Sequence, residues 1–198
     1  MKTHLPHNAS SEPNLKLVAV LMRLEVLAAF AAVLVSASVL VGWLMPAVAT
    51  LLSAGWDVMK ANTALGLMFG AISLVLSQPG RRPKQAQASA AFAIGLMLIA
   101  ASALVQHLLG WQTGLEALLA ADADSAQPGL MSLQSAAFLL ALGFVSLQIG
   151  ARRKPLSPVV DALTMGLVMF SLIVLAGYSW VSRWTRGPRP TRSSAWHC

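Results

Sequence analysis

Met59-Lys60-Ala61-Asn62-Thr63-Ala64-Leu65-Gly66-Leu67 returns later in the chain as Met131-Ser132-Leu133-Gln134-Ser135-Ala136-Ala137-Phe138-Leu139. Both copies begin with Met, place a carboxamide and then a hydroxyl at the fourth and fifth positions, and run into a long apolar segment. Working outward, each is preceded by an aromatic marker, Gly42-Trp43 and Gly110-Trp111, and followed by a basic run, Arg81-Arg82-Pro83-Lys84 and Arg152-Arg153-Lys154. The offsets (131 − 59 = 72, 110 − 42 = 68, 152 − 81 = 71) agree on one period of roughly 70 residues. The chain therefore reads as a tandem repeat.

Composition states the solvent of that repeat. Hydrophobic residues make up 57% of the chain, charged residues 11%, and the mean hydropathy is +0.68. A soluble domain would carry about a quarter charged residues. The apolar residues fall in blocks of about 20, the length that crosses the hydrocarbon core as a helix. They do not alternate with polar residues as barrel strands do. The expected class is an all-α membrane protein of about five transmembrane helices in tandem two-helix repeats, with short interfacial helices on the outer side.

The net charge of +7 reports topology. Nine of the fourteen cations lie in three places: Lys2, Lys16 and Arg23; Arg81, Arg82 and Lys84; Arg152, Arg153 and Lys154. Those are the N-terminus and two loops on one side of the bilayer, which the positive-inside rule makes cytoplasmic. No basic face with interleaved aromatics is present, so nucleic acid is not an expected partner. The single cysteine, Cys198, supports no disulfide framework, zinc site or thiol catalyst.

Residues 1–16 read as a cytoplasmic polar tail, and 17–180 as the membrane domain, with helices at about 17–44, 61–77, 88–109, 130–149 and 158–180. The first apolar block exceeds the 7–15 residues of a signal-peptide core, although Ala47-Val48-Ala49 resembles a cleavage site. Pro46–Asp57 and the acidic stretch 112–127 are too short and polar to cross and read as outer amphipathic turns. Arg23 and Asp161 fall at the same depth near the inner interface, which suggests a contact between them. Gly177-Tyr178 opens what reads as a third repeat, yet no apolar block follows it. The basic stretch 181–198 would then lie on the outer side, against the charge rule, so it reads as out of frame. A genuine periplasmic tail is the alternative.

No paired carboxylates, Ser/His/Asp set, metal-ligand cluster or phosphate loop stands out, so no enzyme activity, metal or cofactor is expected. The polar residues that enter the membrane zone gather near the outer helix ends: Asn62 and Thr63, Gln106 and His107, Gln134 and Ser135. Trp43, Trp56, Trp111 and Trp180 lie at the same level. The structural account makes the tryptophans an interfacial belt. It makes the amides and hydroxyls helix caps or interhelical bonds, and His107 one more polar contact. The functional account makes them an outward-facing pocket with amide donors and aromatic walls.

With these residues in view, the chain resembles the multi-spanning N-terminal sensor region of bacterial membrane-bound signalling proteins. In those proteins a membrane domain precedes PAS or GAF modules and a histidine kinase or GGDEF diguanylate cyclase output. Met59–Leu67 opening a helix carries the resemblance, together with the linker from Gly110-Trp111 to Pro128-Gly129-Leu130-Met131-Ser132, and Gly177-Tyr178. The second copy has Gln134-Ser135-Ala136 where the family usually has Asn-Thr-Ala. The resemblance spans about residues 17–180. It implies a sensory input domain in the bacterial inner membrane, with its N-terminus cytoplasmic and a homodimeric state, in a two-component or diguanylate cyclase system. The sixth helix and cytoplasmic output domain that it also implies are missing here, so the chain reads as truncated. A small transporter or permease subunit, or a stand-alone membrane partner of a separate kinase, are the competing expectations.

Overall fold

The computed structural model describes residues 15–52, 59–78, 80–110, 130–150 and 158–185, and every element among them is helical. In chain order these are α1 (Leu15–Leu44), α2 (Pro46–Ala49), α3 (Ala61–Ser77), α4 (Pro83–Leu109), α5 (Leu133–Gly150) and α6 (Pro158–Thr185). By length and composition, α1, α4, α5 and α6 can each cross a membrane. Helix α3 is as apolar but has only 17 residues, about 26 Å at 1.5 Å per residue.

Several boundaries differ from those expected of apolar runs, because backbone chemistry sets them. Helix α4 starts at Pro83, five residues before the apolar block. Proline at the first helical position loses no hydrogen bond. The Arg82 N–H is taken by Gln85 Oε1 at 2.9 Å. The same helix stops at Gly110, whose φ of 67° is left-handed, and its N–H returns to Gln106 O. Helix α5 begins at Leu133 rather than 130, because Ser132 caps it. Helix α6 runs on to Thr185, past the expected end at 180. Of the two outer amphipathic turns, the first shows one helical turn, Pro46–Ala49. The second, 112–127, lies outside the described residues.

The centre of the molecule is a three-helix seam. Helix α4 packs antiparallel against both α3 and α5, and α3 and α5 also touch each other. The buried residues of α4 are Ser89, Ala93, Leu96, Ala100 and Ala103, spaced four and three in alternation. Those of α5 include Ala136, Leu139, Gly143, Ser146 and Gly150, spaced three and four, with Val145 buried beside them. That rhythm is the seam of a coiled coil, filled here mainly with small residues that let backbones approach. The closeness is measurable at glycine. A Cβ added to Gly143 would lie 2.6 Å from Met97 Cγ and 3.2 Å from the Ala93 carbonyl oxygen. One at Gly66 would lie 2.9 Å from Leu139 Cδ1.

Two helices flank this seam. Helix α1 lies against α3 through one stripe, Ala29, Ser36, Val39 and Gly42, while most of its large side chains are exposed. Helix α6 lies against α5, and Val160 is the one fully buried side chain among those described on it. Both are suited to lipid contact. The arrangement gives the bundle two distinct ends. Lys16, Arg23, Arg81, Arg82 and Lys84 collect at one, where α1, α4 and α6 begin. The other, where α3 and α5 begin, holds Trp43 and the two repeated heads.

Candidate functional site

The two heads sit side by side but are built differently. Lys60 occupies the cap position of α3 and supplies no side-chain cap. Instead the Trp43 indole Nε1 donates to Met59 O at 3.0 Å, and Lys60 Nζ lies 5.8 Å from the centroid of the same ring. At the start of α5, Ser132 Oγ accepts the Ser135 N–H at 3.1 Å and donates to Ser135 Oγ at 2.9 Å. That is an N-cap by the residue before the helix. The capping role expected of the carboxamides therefore belongs to neither. Asn62 is 4% exposed and engaged within the fold, whereas Gln134 is exposed.

His107, near the end of α4, places Nε2 2.8 Å from Met131 O. A carbonyl only accepts, so Nε2 carries the proton. The ring thus ties the end of α4 to the entry of α5, beside the buried Met131 side chain (1% exposed). Gln106 is half-buried one residue before it. Trp180 is exposed on α6, and Trp56 and Trp111 lie outside the described residues.

Two adjoining hollows open beside α6, and they sort the candidate residues. The larger, about 620 Å³, lies between α5 and α6 and is bounded by Gln134, Ala137, Ala141, Ala162 and Gly166. The smaller, about 410 Å³, lies among α3, α5 and α6 and contains Thr63, Ser135 and Ser171. Phe138 and Phe170 line both, with ring centroids 5.6 Å apart. Thr63, Gln134 and Ser135 are thus brought to one place, while Asn62, Gln106 and His107 line neither hollow. No ionisable side chain among the described residues lines either one. Among the described residues, no group of three or more His, Cys, Asp or Glu could hold a metal.

Sequence reasoning passed over a polar layer in the three-helix seam. Ser73 Oγ donates to Ser89 O and Ser89 Oγ to Ser73 O, both at 2.9 Å, with the hydroxyls 3.2 Å apart. This reciprocal pair joins the end of α3 to the start of α4, and both residues are fully buried. Ser146 is also fully buried on α5, and its Oγ has no hydrogen-bond partner among the described residues. The signal was available: Ser89 and Ser146 both fall on the four-and-three rhythm of small residues. Phe170 and Ser171 were missed because only their packing against α3 and α5 distinguishes them.

The expected Arg23–Asp161 contact is not formed: no ion pair joins them among the described residues. Both side chains are exposed, on the two flanking helices, and α1 and α6 have the three-helix seam between them. Compared with known proteins, the chain matches no family model, no curated protein and no solved structure.

Proposed function

We propose that this chain is an integral-membrane sensory domain of a bacterial signal-transduction protein, lying in the inner membrane with its basic end cytoplasmic. The observation that carries the reading is the contrast around α5. One side of this helix is tightly packed against α4, and the other meets α6 across open hollows. A sensor needs an element with two arrangements of similar free energy, biased by the stimulus. Helix α6 is the candidate element, and the three-helix seam is the frame it moves against.

The parallel pairing of α3 and α5 supports the tandem-repeat reading. Gly66 meets Leu139 and Gly70 meets Leu142, offsets of 73 and 72 residues, within one residue of the 72 between the two Met-led heads. The exposed apolar faces of α1 and α6 offer surfaces for a homodimer within the membrane. Nothing in this reading assigns a reaction to the described residues.

The test uses the full chain with Cys198→Ser and spin labels at Ile94→Cys on α4 and Leu172→Cys on α6, both exposed positions. Distances in nanodiscs should show two populations whose ratio changes with bilayer composition. A single narrow population that never shifts, together with solute uptake by proteoliposomes, would overturn sensing in favour of transport.

A further inference from the structure

The paired hollows beside α6 have the shape and chemistry of one binding site. Their volumes, about 620 and 410 Å³, each fall within the roughly 300–1,000 Å³ of small-molecule sites. The larger is apolar over nearly all its wall. It follows α6 from Val159 to Phe170, about 17 Å of helix rise. The smaller lies at the end of the bundle where α3 and α5 begin, and there the wall carries three hydroxyls. Both hollows are mainly apolar, and their polar side chains are Gln134 in the larger and Thr63, Ser135 and Ser171 in the smaller, three of them in the first turns of α3 and α5.

The hydroxyls also specify the head. Ser171 Oγ donates to Leu167 O at 2.9 Å, so its oxygen is left to accept. Ser135 Oγ takes a hydrogen from Ser132 Oγ, so its own hydrogen is left to donate. Thr63 can do either. A head that meets this set carries both an acceptor and a donor. It is uncharged, because nothing in either wall would balance a charge and a charge buried without a partner is costly.

We infer that the cleft between α5 and α6 binds a single-chain, uncharged amphiphile, with its hydroxyl- or ester-bearing head at Thr63, Ser135 and Ser171 and its tail along Ala141 and Gly166. Phe138 and Phe170 grip the molecule where head meets tail. The inference rests on the sensory reading only for its purpose, since it names the stimulus, and the site itself stands on the cleft.

The experiment uses the full chain in phosphatidylcholine nanodiscs and a monoacylglycerol bearing a diazirine in its acyl chain, with labelled residues located by mass spectrometry. Labelling should fall on α5 and α6 within the cleft and should be displaced by unlabelled monoacylglycerol. Filling the tail cleft with Ala141→Leu and Gly166→Leu should cut labelling about tenfold. A Cβ at Gly166 meets nothing within 4 Å, so that variant should fold. Thr63→Val with Ser135→Ala should cut it about thirtyfold, as for the loss of two hydrogen bonds of about 1 kcal/mol each. Leu172→Phe, on the exposed side of α6, should leave it unchanged.

Equal, non-displaceable labelling by a matched phosphatidylcholine probe would mean annular lipid only and would overturn the site. So would unchanged labelling in the Gly166→Leu variant, or Gly166→Cys forming disulfide dimers, which would mean that a second copy fills the cleft. Labelling as expected, with an α4–α6 distance that ignores the monoacylglycerol, would leave the site standing and defeat the sensory reading. A distance that shifts without labelling would do the reverse.

Discussion

Helix α5 packs against α3, α4 and α6, and it treats the last two differently. Toward α4, Gly143 comes so close that an added methyl would collide with Met97 and with the Ala93 backbone. Toward α6, glycine at 166 faces open space. Both helices present small residues, so smallness alone does not make a tight seam. In lipid there is little hydrophobic drive between helices, and association depends on shape match and hydrogen bonds. The α4 side has both, in its four-and-three rhythm and in the bond from His107 Nε2 to Met131 O at the entry of α5. The α6 side has a single aromatic contact, Phe138 with Phe170, and hollows on either side of it.

That comparison can be broken at its strongest point first. Gly143→Leu should destabilise the bundle by about 3 kcal/mol, the upper range of overpacking, in reversible unfolding in bicelles. Gly166→Leu should change stability by less than about 1 kcal/mol in the same assay, and similar losses for the two would abolish the contrast. Leu139→Ala, at 1% exposure in the seam, should cost about 2 kcal/mol. Leu172→Ala on the outside of α6 should cost almost nothing. Ser132→Ala, which removes the cap of α5, should cost about 1 kcal/mol. A smaller effect than the loss of that cap is the coupling between Ser73 and Ser89. A double-mutant cycle with alanine should give about 0.6 kcal/mol, typical of hydrogen bonds between membrane helices. Zero coupling would reduce the pair to a packing contact.

Much of the scaffold was legible because membrane helices announce themselves by length and by charge placement. The positions of Arg81, Arg82 and Lys84 marked the α3–α4 connection, and Gly110 marked the end of α4. What hydropathy could not read was where polar residues continue a helix. Lys84, Gln85 and Gln87 belong to α4 although they precede its apolar block. The outer-end residues were legible only as a level. Asn62 and Thr63 are adjacent in sequence, but a helix turns them about 100° apart. One is buried in the bundle and the other lines a hollow. The repeat pointed to the pairing of Thr63 with Ser135 and could not show that Ser171 joins them. That depends on how α6 leans on α5, which no local pattern encodes.

The short reach of α3 has a consequence of its own. A helix of about 26 Å sits among α1, α4 and α5, each of which is longer. A hydrocarbon layer near 30 Å exceeds it and also the roughly 27 Å of α5, whose Leu133 and Ile149 are exposed, so lipid beside α5 would thin to meet the pair, at a fraction of a kcal/mol for each ångström of mismatch. Protein and membrane therefore share one elastic balance. Melting temperatures in vesicles of stepped acyl-chain length should peak where the bilayer is thinner than average. Membrane thickness then becomes a variable to which this bundle responds mechanically.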